Sequence, residues 1–101
     1  MADRDFEGLA AKLSALGHPT RLAIVKDLTD GEKYLSEVAK SVGISRALAK
    51  VHLKKLRDAG LVETRVVTLE DEAKALRYYK LRPFEIYLSS EELKEVKKNG
   101  L

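Results

Sequence analysis

The segment VGISRALAKVHLKKLRDAGLV, residues 42–62, constrains the fold most, because it contains both a start and a stop signal for one helix. Ser45 is of the type that caps a first helical turn, and Gly60 is of the type that follows a last one. Apolar residues recur between them at helical spacing, at Ala49, Leu53 and Leu56. This pattern predicts a helix over 45–59 with one buried side.

Three further helices are predicted before this segment. The first covers about 5–16, on the spacing of Phe6, Leu9, Leu13 and Leu16, and the second begins at Pro19, which suits a first helical position. The third is short and runs from about Ser36, as its N-cap, to Ser41. A short helix, a glycine-containing turn and a longer basic helix are the elements of a helix-turn-helix.

After Gly60 the pattern changes to that of strands. LVETRVVTL and ALRYYKL are rich in β-branched and aromatic residues, and the polar EDEAK joins them, so we predict a hairpin. Phe84, Ile86 and Leu88 alternate, which predicts an extended segment with one buried face, and a last helix is predicted over about 90–98. The fold class is therefore mainly α with a small β-hairpin. We expect one winged helix-turn-helix domain over 1–101, with a three-helix core, a wing and a C-terminal helix.

Positive charge is concentrated on the predicted fourth helix. The whole chain has a net charge of +3, but residues 45–65 alone carry six cations against two acids. In a helix-turn-helix, the N-terminal residues of the second helix reach base edges in the major groove of DNA. We therefore predict base contacts for Arg46 and Lys50, which can donate to guanine, and for Ala47 and Val51, which suit a thymine methyl group.

Phosphate contacts are predicted for side chains that add affinity without reading sequence. Ser36 and Ser45 open helices, whose N-termini attract anions. The other predicted contacts are cations further along the fourth helix and on the hairpin, namely Lys54, Lys55, Arg57, Arg65, Lys74 and Arg77. The acidic residues Glu70, Asp71 and Glu72 would be repelled by phosphates, so we expect the hairpin tip to stay outside the groove.

Other readings of these cations remain open. They could form a solvated face, although Asp58 is the only acid on the helix that could pair with them at helical spacing. They could coat DNA without specificity, as architectural chromatin-like proteins do, or the fold could be a winged-helix module for protein contact. No phosphate-binding glycine loop or catalytic constellation is recognisable, so we do not expect an enzyme or a cofactor.

The composition of the chain indicates where the protein is located and what kind of organism it comes from. It contains no cysteine, no apolar run near the roughly 18 residues of a membrane span, and no signal-like start, so we expect a cytoplasmic, nucleoid-associated protein without membrane contact. Asn99 is the only amide side chain, alongside many Lys, Glu and Arg residues. This bias is typical of hyperthermophile proteins and favours a thermophilic source.

LSALGHPTRLAIVKDL, LSEVAKSVGISRALAKVHLKKLRDAGLV and RYYKL together resemble the bacterial and archaeal arsenical-repressor (ArsR)-type regulators over about residues 9–82. The resemblance implies a dimeric transcription factor that binds operator DNA and most often represses. It does not extend to metal sensing, because the chain has no cysteine and its two histidines, His18 and His52, are too few for a zinc site. We expect no bound metal.

A homodimer is expected because one helix-turn-helix of this size contacts only a half-site. The first helix and the weakly apolar last helix are the candidate interface. Their apolar residues are Phe6, Leu9, Leu13, Leu16, Leu93 and Val96. The alternative is that the first helix packs only on its own domain.

Overall fold

The computed structural model describes residues 6–69 and 75–95. In chain order the elements are α1 (Phe6–Leu16), α2 (Pro19–Leu28), β1 (Lys33–Tyr34), α3 (Leu35–Val42), α4 (Arg46–Asp58), β2 (Val62–Thr68), β3 (Ala75–Leu81) and α5 (Ser90–Lys94). The three strands form one antiparallel sheet in the order β1-β3-β2. This is the predicted fold class: a helical core, a helix-turn-helix formed by α3 and α4, and a wing formed by β2 and β3.

The core lies between α2, α3, α4 and the base of the wing. It is built from aliphatic side chains and one tyrosine, including Ile24, Leu28, Val38, Leu53, Leu56, Leu61, Val62 and Tyr79. The predicted stripe of α4 is confirmed, because Ala49, Leu53 and Leu56 are fully buried. Leu16 of α1 also packs against this core. The rotational setting of α4 is therefore fixed by its buried side.

Both ends of α4 are closed by the predicted residues. Ser45 Oγ accepts a hydrogen bond from the Leu48 N–H at 3.1 Å. At the other end Gly60 adopts φ 78°, a conformation that favours glycine. The Leu61 N–H then donates to the Leu56 carbonyl at 3.0 Å, and the Gly60 N–H donates to Arg57 at 2.9 Å. These two bonds form a Schellman motif, which turns the chain directly into β2.

The start of α3 differs from the prediction. The helix begins at Leu35, so Ser36 lies in its first turn and is not the N-cap. The Tyr34 N–H instead donates to Glu37 Oε1 at 3.1 Å. Lys33 and Tyr34 form the short strand β1, which pairs with Tyr79 and Tyr78 of β3. This strand has only two residues, and its partners lie more than forty positions away. The sequence around it therefore contains no strand pattern from which it could be predicted.

The segment after the wing also differs from the prediction. Phe84 and Leu88 were expected on a buried face, but they are 36% and 47% exposed. Ser89 caps α5 through a hydrogen bond from the Glu92 N–H to its Oγ at 3.1 Å. The described part of this helix ends at Lys94, and Val96 lies outside the described residues. None of the helices in the described ranges is long and apolar enough to span a membrane.

Candidate nucleic-acid interface

A groove of about 270 Å³ lies between the N-terminal ends of α3 and α4 and strand β3. Four of the predicted DNA contacts line it together: Ser36, Arg46, Lys50 and Arg77. The outermost two, Ser36 and Arg77, are 41 positions apart in the sequence, and the fold brings all four to one surface. The helix-turn-helix and the wing thus present a common basic groove.

Apolar side chains are exposed beside the cations on the N-terminal half of α4. Ala47 is exposed, and Val51 and Leu48 are 56% and 44% exposed. Leucine and valine side chains with this much exposed surface are available to contact an apolar group of a partner. Ala47 and Val51 are two of the predicted base contacts.

Most cations of α4 have no acidic partner in the part of the chain that the structure describes. Within residues 6–69 and 75–95, no ion pair involves Arg46, Lys50, Lys55 or Arg57. Lys54 pairs with Asp58 at 2.9 Å, and this hydrogen bond lowers the pKa of the Asp58 carboxyl. Both side chains of that pair are more than half exposed, so it contributes little to stability. The described residues therefore leave most of the positive charge on this face unpaired.

Arg65 does not join this surface. In the wing, Arg65 lies opposite Tyr78 and Val66 lies opposite Arg77, so the two arginines are on opposite faces of the sheet. Arg77 Nη1 donates to Thr64 Oγ1 at 3.4 Å on the groove side. On the outer side, Arg65 donates hydrogen bonds to the carboxylate of Glu32, and these bonds lower the pKa of the Glu32 carboxyl. Both arginines were predicted from the sequence to contact phosphate, but the structure places them on opposite faces of the sheet.

The remaining predicted contacts are placed as follows. Ser45 lies at the first turn of α4, with its hydroxyl oxygen accepting the capping bond and its O–H available as a donor. Lys55 and Arg57 are exposed on the C-terminal half of α4. Lys74 and the acidic residues 70–72 lie outside the described residues.

A buried polar contact behind α4 was not anticipated from the sequence. His52 is 7% exposed, and its Nδ1 lies 3.1 Å from Arg21 Nη1. The same guanidinium donates through Nε to the Ala15 carbonyl at 2.6 Å, so Arg21 joins the end of α1 to α4. Because arginine can only donate, Nδ1 of His52 must be the unprotonated acceptor.

The two histidines have structural roles in the described chain. His18 Nδ1 accepts the Thr20 N–H at 3.1 Å and so caps α2, as a histidine at a helix start commonly does. Its ring centroid lies 4.7 Å from that of His52. No group of three or more His, Cys, Asp or Glu side chains in the described ranges is arranged to hold a metal ion.

Comparison with known proteins agrees with this architecture. A family described as a helix-turn-helix domain matches residues 16–65. A helix-turn-helix-type transcriptional regulator of Methanocaldococcus jannaschii is 36% identical over 85 residues, which cover 84% of this chain and 87% of that protein. The class is therefore that of the winged helix-turn-helix proteins. Within it, this chain belongs to the family of helix-turn-helix transcriptional regulators.

Two solved structures resemble the chain closely. One is the transcriptional repressor BigR from Xylella fastidiosa, with 31% identity, a TM-score of 0.63, and coverage of 82% of this chain and 83% of that one. The other is the homodimeric winged helix-turn-helix domain of a possible ArsR-family regulator from Mycobacterium bovis, with 27% identity and a TM-score of 0.66. This match covers 80% of our chain and 72% of the Mycobacterium bovis chain. These matches support the resemblance to ArsR-type regulators.

Acidification should destabilise the fold through His52. Burial, followed by the nearby His18 and Arg21, lowers the pKa of His52 below its ordinary value of 6.5. The unfolded chain therefore binds a proton at this site before the folded chain does, so stability is lost as the pH falls below 6.5. We expect the free energy of unfolding to fall between about pH 7.5 and pH 5.5, by at most about 1.4 kcal/mol per pH unit from this site.

The measurement is urea unfolding at fixed protein concentration across that range. His52→Asn, whose amide oxygen can still accept from Arg21, should flatten the dependence. His18→Asn, which retains a capping side chain, should keep most of it. Equal slopes in the wild-type protein and His52→Asn would show that His52 is not the titrating group.

Proposed function

We propose that the protein is a sequence-specific, double-stranded DNA-binding transcriptional repressor that acts as a homodimer, with α4 in the major groove. The observation that carries this proposal is the groove where Ser36, Arg46, Lys50 and Arg77 meet. It lies beside the cations of α4 that pair with no described acid, at the end of the helix where its backbone N–H groups point outward. Phosphate and base edges are the ligands that such a surface fits.

Base reading would come from the N-terminal half of α4. Arg46 and Lys50 are exposed donors that can reach guanine O6 and N7, and Ala47 and Val51 present apolar surface to thymine methyl groups. The helix carries no amide or hydroxyl side chain after its Ser45 cap. Its preference would therefore depend on methyl contacts and on duplex shape more than on bidentate hydrogen bonds.

Phosphates would be held by the flanking side chains. Ser36 and Ser45 contribute hydroxyls at helix starts, Lys55 and Arg57 contribute unpaired charge, and Arg77 approaches from the wing. Lys54 can exchange its exposed partner Asp58 for a phosphate at small cost. Lys74 remains a predicted contact. Arg65 is not included, because Glu32 already holds it on the other face.

A symmetric dimer would use the apolar side chains left uncovered by the single chain. Leu13 and Leu93 are exposed, and Phe6 and Leu9 are half-buried, whereas Leu16 serves the core of its own chain. The segment before α5 adds Phe84, Tyr87 and Leu88, with Tyr87 62% exposed. The homodimeric state of the Mycobacterium bovis domain supports this part of the proposal. Val96 remains a predicted interface residue.

Binding assays on a duplex selected from a random pool test the DNA-binding proposal. Arg46→Ala and Lys50→Ala should each cost about 1–3 kcal/mol on the selected duplex and less on random DNA, because base contacts are lost. Lys55→Ala should weaken both equally and reduce the salt dependence by about one counterion, as loss of a phosphate contact does.

Lys26→Ala is the matched control, because this exposed lysine of α2 lies beside the C-terminal end of α3, away from the groove. It should leave specific binding within about twofold of wild type, a change of less than 0.5 kcal/mol. Equal losses of Arg46→Ala on both duplexes would indicate a non-specific coating protein. Unchanged binding in every variant would indicate that this face contacts protein instead.

The dimer is tested by charged substitutions on the exposed apolar side chains. Leu13→Glu and Leu88→Glu should convert the protein to a monomer in sedimentation equilibrium, because burying two symmetry-related carboxylates is costly. Both positions are more than a third exposed in the single chain, so the far-ultraviolet circular dichroism spectrum should not change. Leu22→Glu places the same charge on an exposed leucine of α2 and should remain dimeric. Dimers in all three variants would exclude this interface.

A further inference from the structure

The outer face of the sheet, opposite the groove, carries an ordered cluster around Arg65. Arg65 Nε lies 3.1 Å from both carboxylate oxygens of Glu32, and Nη2 contacts Oε1 as well. The guanidinium carbon lies 5.0 Å from the ring centroid of Tyr78. The Tyr78 ring in turn contacts the edge of Tyr34, at a centroid distance of 5.5 Å. We call these four residues, Glu32, Tyr34, Arg65 and Tyr78, the outer clamp.

The outer clamp joins parts of the fold that are not neighbours in the sheet. Glu32 immediately precedes β1, and Arg65 lies in the middle of β2, with β3 between the two strands. The ion pair therefore crosses over β3 above the Tyr78 ring. Because β1 continues directly into α3, this contact ties the wing to the helix-turn-helix.

We propose that Arg65 is a positioning residue of the wing, which holds Arg77 toward the DNA groove through the outer clamp and does not itself contact phosphate. The register places Arg65 and Arg77 on opposite faces, so fixing one side chain outside keeps the other facing α4. A planar guanidinium stacked on a tyrosine and paired with both oxygens of a carboxylate defines an orientation as well as a charge. The inference rests on the proposed contact between Arg77 and DNA.

The two possible roles of Arg65 predict opposite effects when Glu32 is neutralised. If Arg65 contacted phosphate, Glu32 would compete with DNA, and Glu32→Gln would strengthen binding. If Arg65 positions the wing, Glu32→Gln releases it and weakens binding. Glu63→Gln is the matched control, because Glu63 lies on the same outer face, beside Lys80, and its substitution makes the same change in net charge. Comparison of the two variants removes the long-range effect of charge.

Affinity for the selected duplex should be up to about fivefold lower for Glu32→Gln than for Glu63→Gln, the scale of one surface ion pair. Arg65→Lys should weaken binding similarly, because lysine keeps the charge but not the planar geometry. In an Arg77→Ala background the effect of Glu32→Gln should disappear. Equal or tighter binding of Glu32→Gln compared with Glu63→Gln, or an undiminished effect in the Arg77→Ala background, would overturn the proposal.

A measurement on the free protein separates this inference from the proposed function. Amide hydrogen exchange in β2 and β3, followed by NMR without DNA, should be faster in Glu32→Gln than in Glu63→Gln. Identical exchange would overturn the clamp whatever the DNA result. If the wild-type protein bound no duplex, the proposed function would fail, and the exchange data would still decide whether Glu32 and Arg65 hold the wing.

Discussion

The packing of α4 against the core is the constraint on which the other features depend. Ala49, Leu53 and Leu56 are completely buried, and the helix is closed by Ser45 at one end and by Gly60 at the other. A helix packed on one side and capped at both ends is fixed about its axis, so the positions from which its outer side chains project are fixed as well. The basic groove is a consequence of this packing, since the same helix supplies core and interface.

The core side of α4 is also connected to the rest of the chain by a polar contact. Arg21 binds the end of α1 through the Ala15 carbonyl and binds α4 through His52. If α1 belongs to the dimer interface, this guanidinium lies between the partner subunit and α4. The ion pair between Glu32 and Arg65 likewise connects the wing to the segment that precedes α3. Two arginines from different elements are thus held by contacts within the fold, whereas Arg46, Lys50, Lys55 and Arg57 of α4 form no ion pair with a described residue.

Features with local signals were predictable from the sequence, and those that depend on distant partners were not. Ser45, Gly60 and the buried stripe of α4 follow from helix periodicity and capping, and the wing strands follow from β-branched and aromatic residues. The strand β1 and the pairing of Arg65 depend on residues more than thirty positions away. Phe84 and Leu88 alternate as a buried strand would, yet among the described residues they remain 36% and 47% exposed.

We propose that the outer side of α4, together with the groove side of the wing, is a DNA-binding surface. The most direct measurement is an NMR titration of the isotope-labelled protein with the selected duplex at low ionic strength. We expect the largest shift changes at residues 45–51 and at Arg77, with small changes at Glu63 and Lys80 on the outer face of the sheet. Changes concentrated on that outer face, or no changes with any duplex, would contradict it.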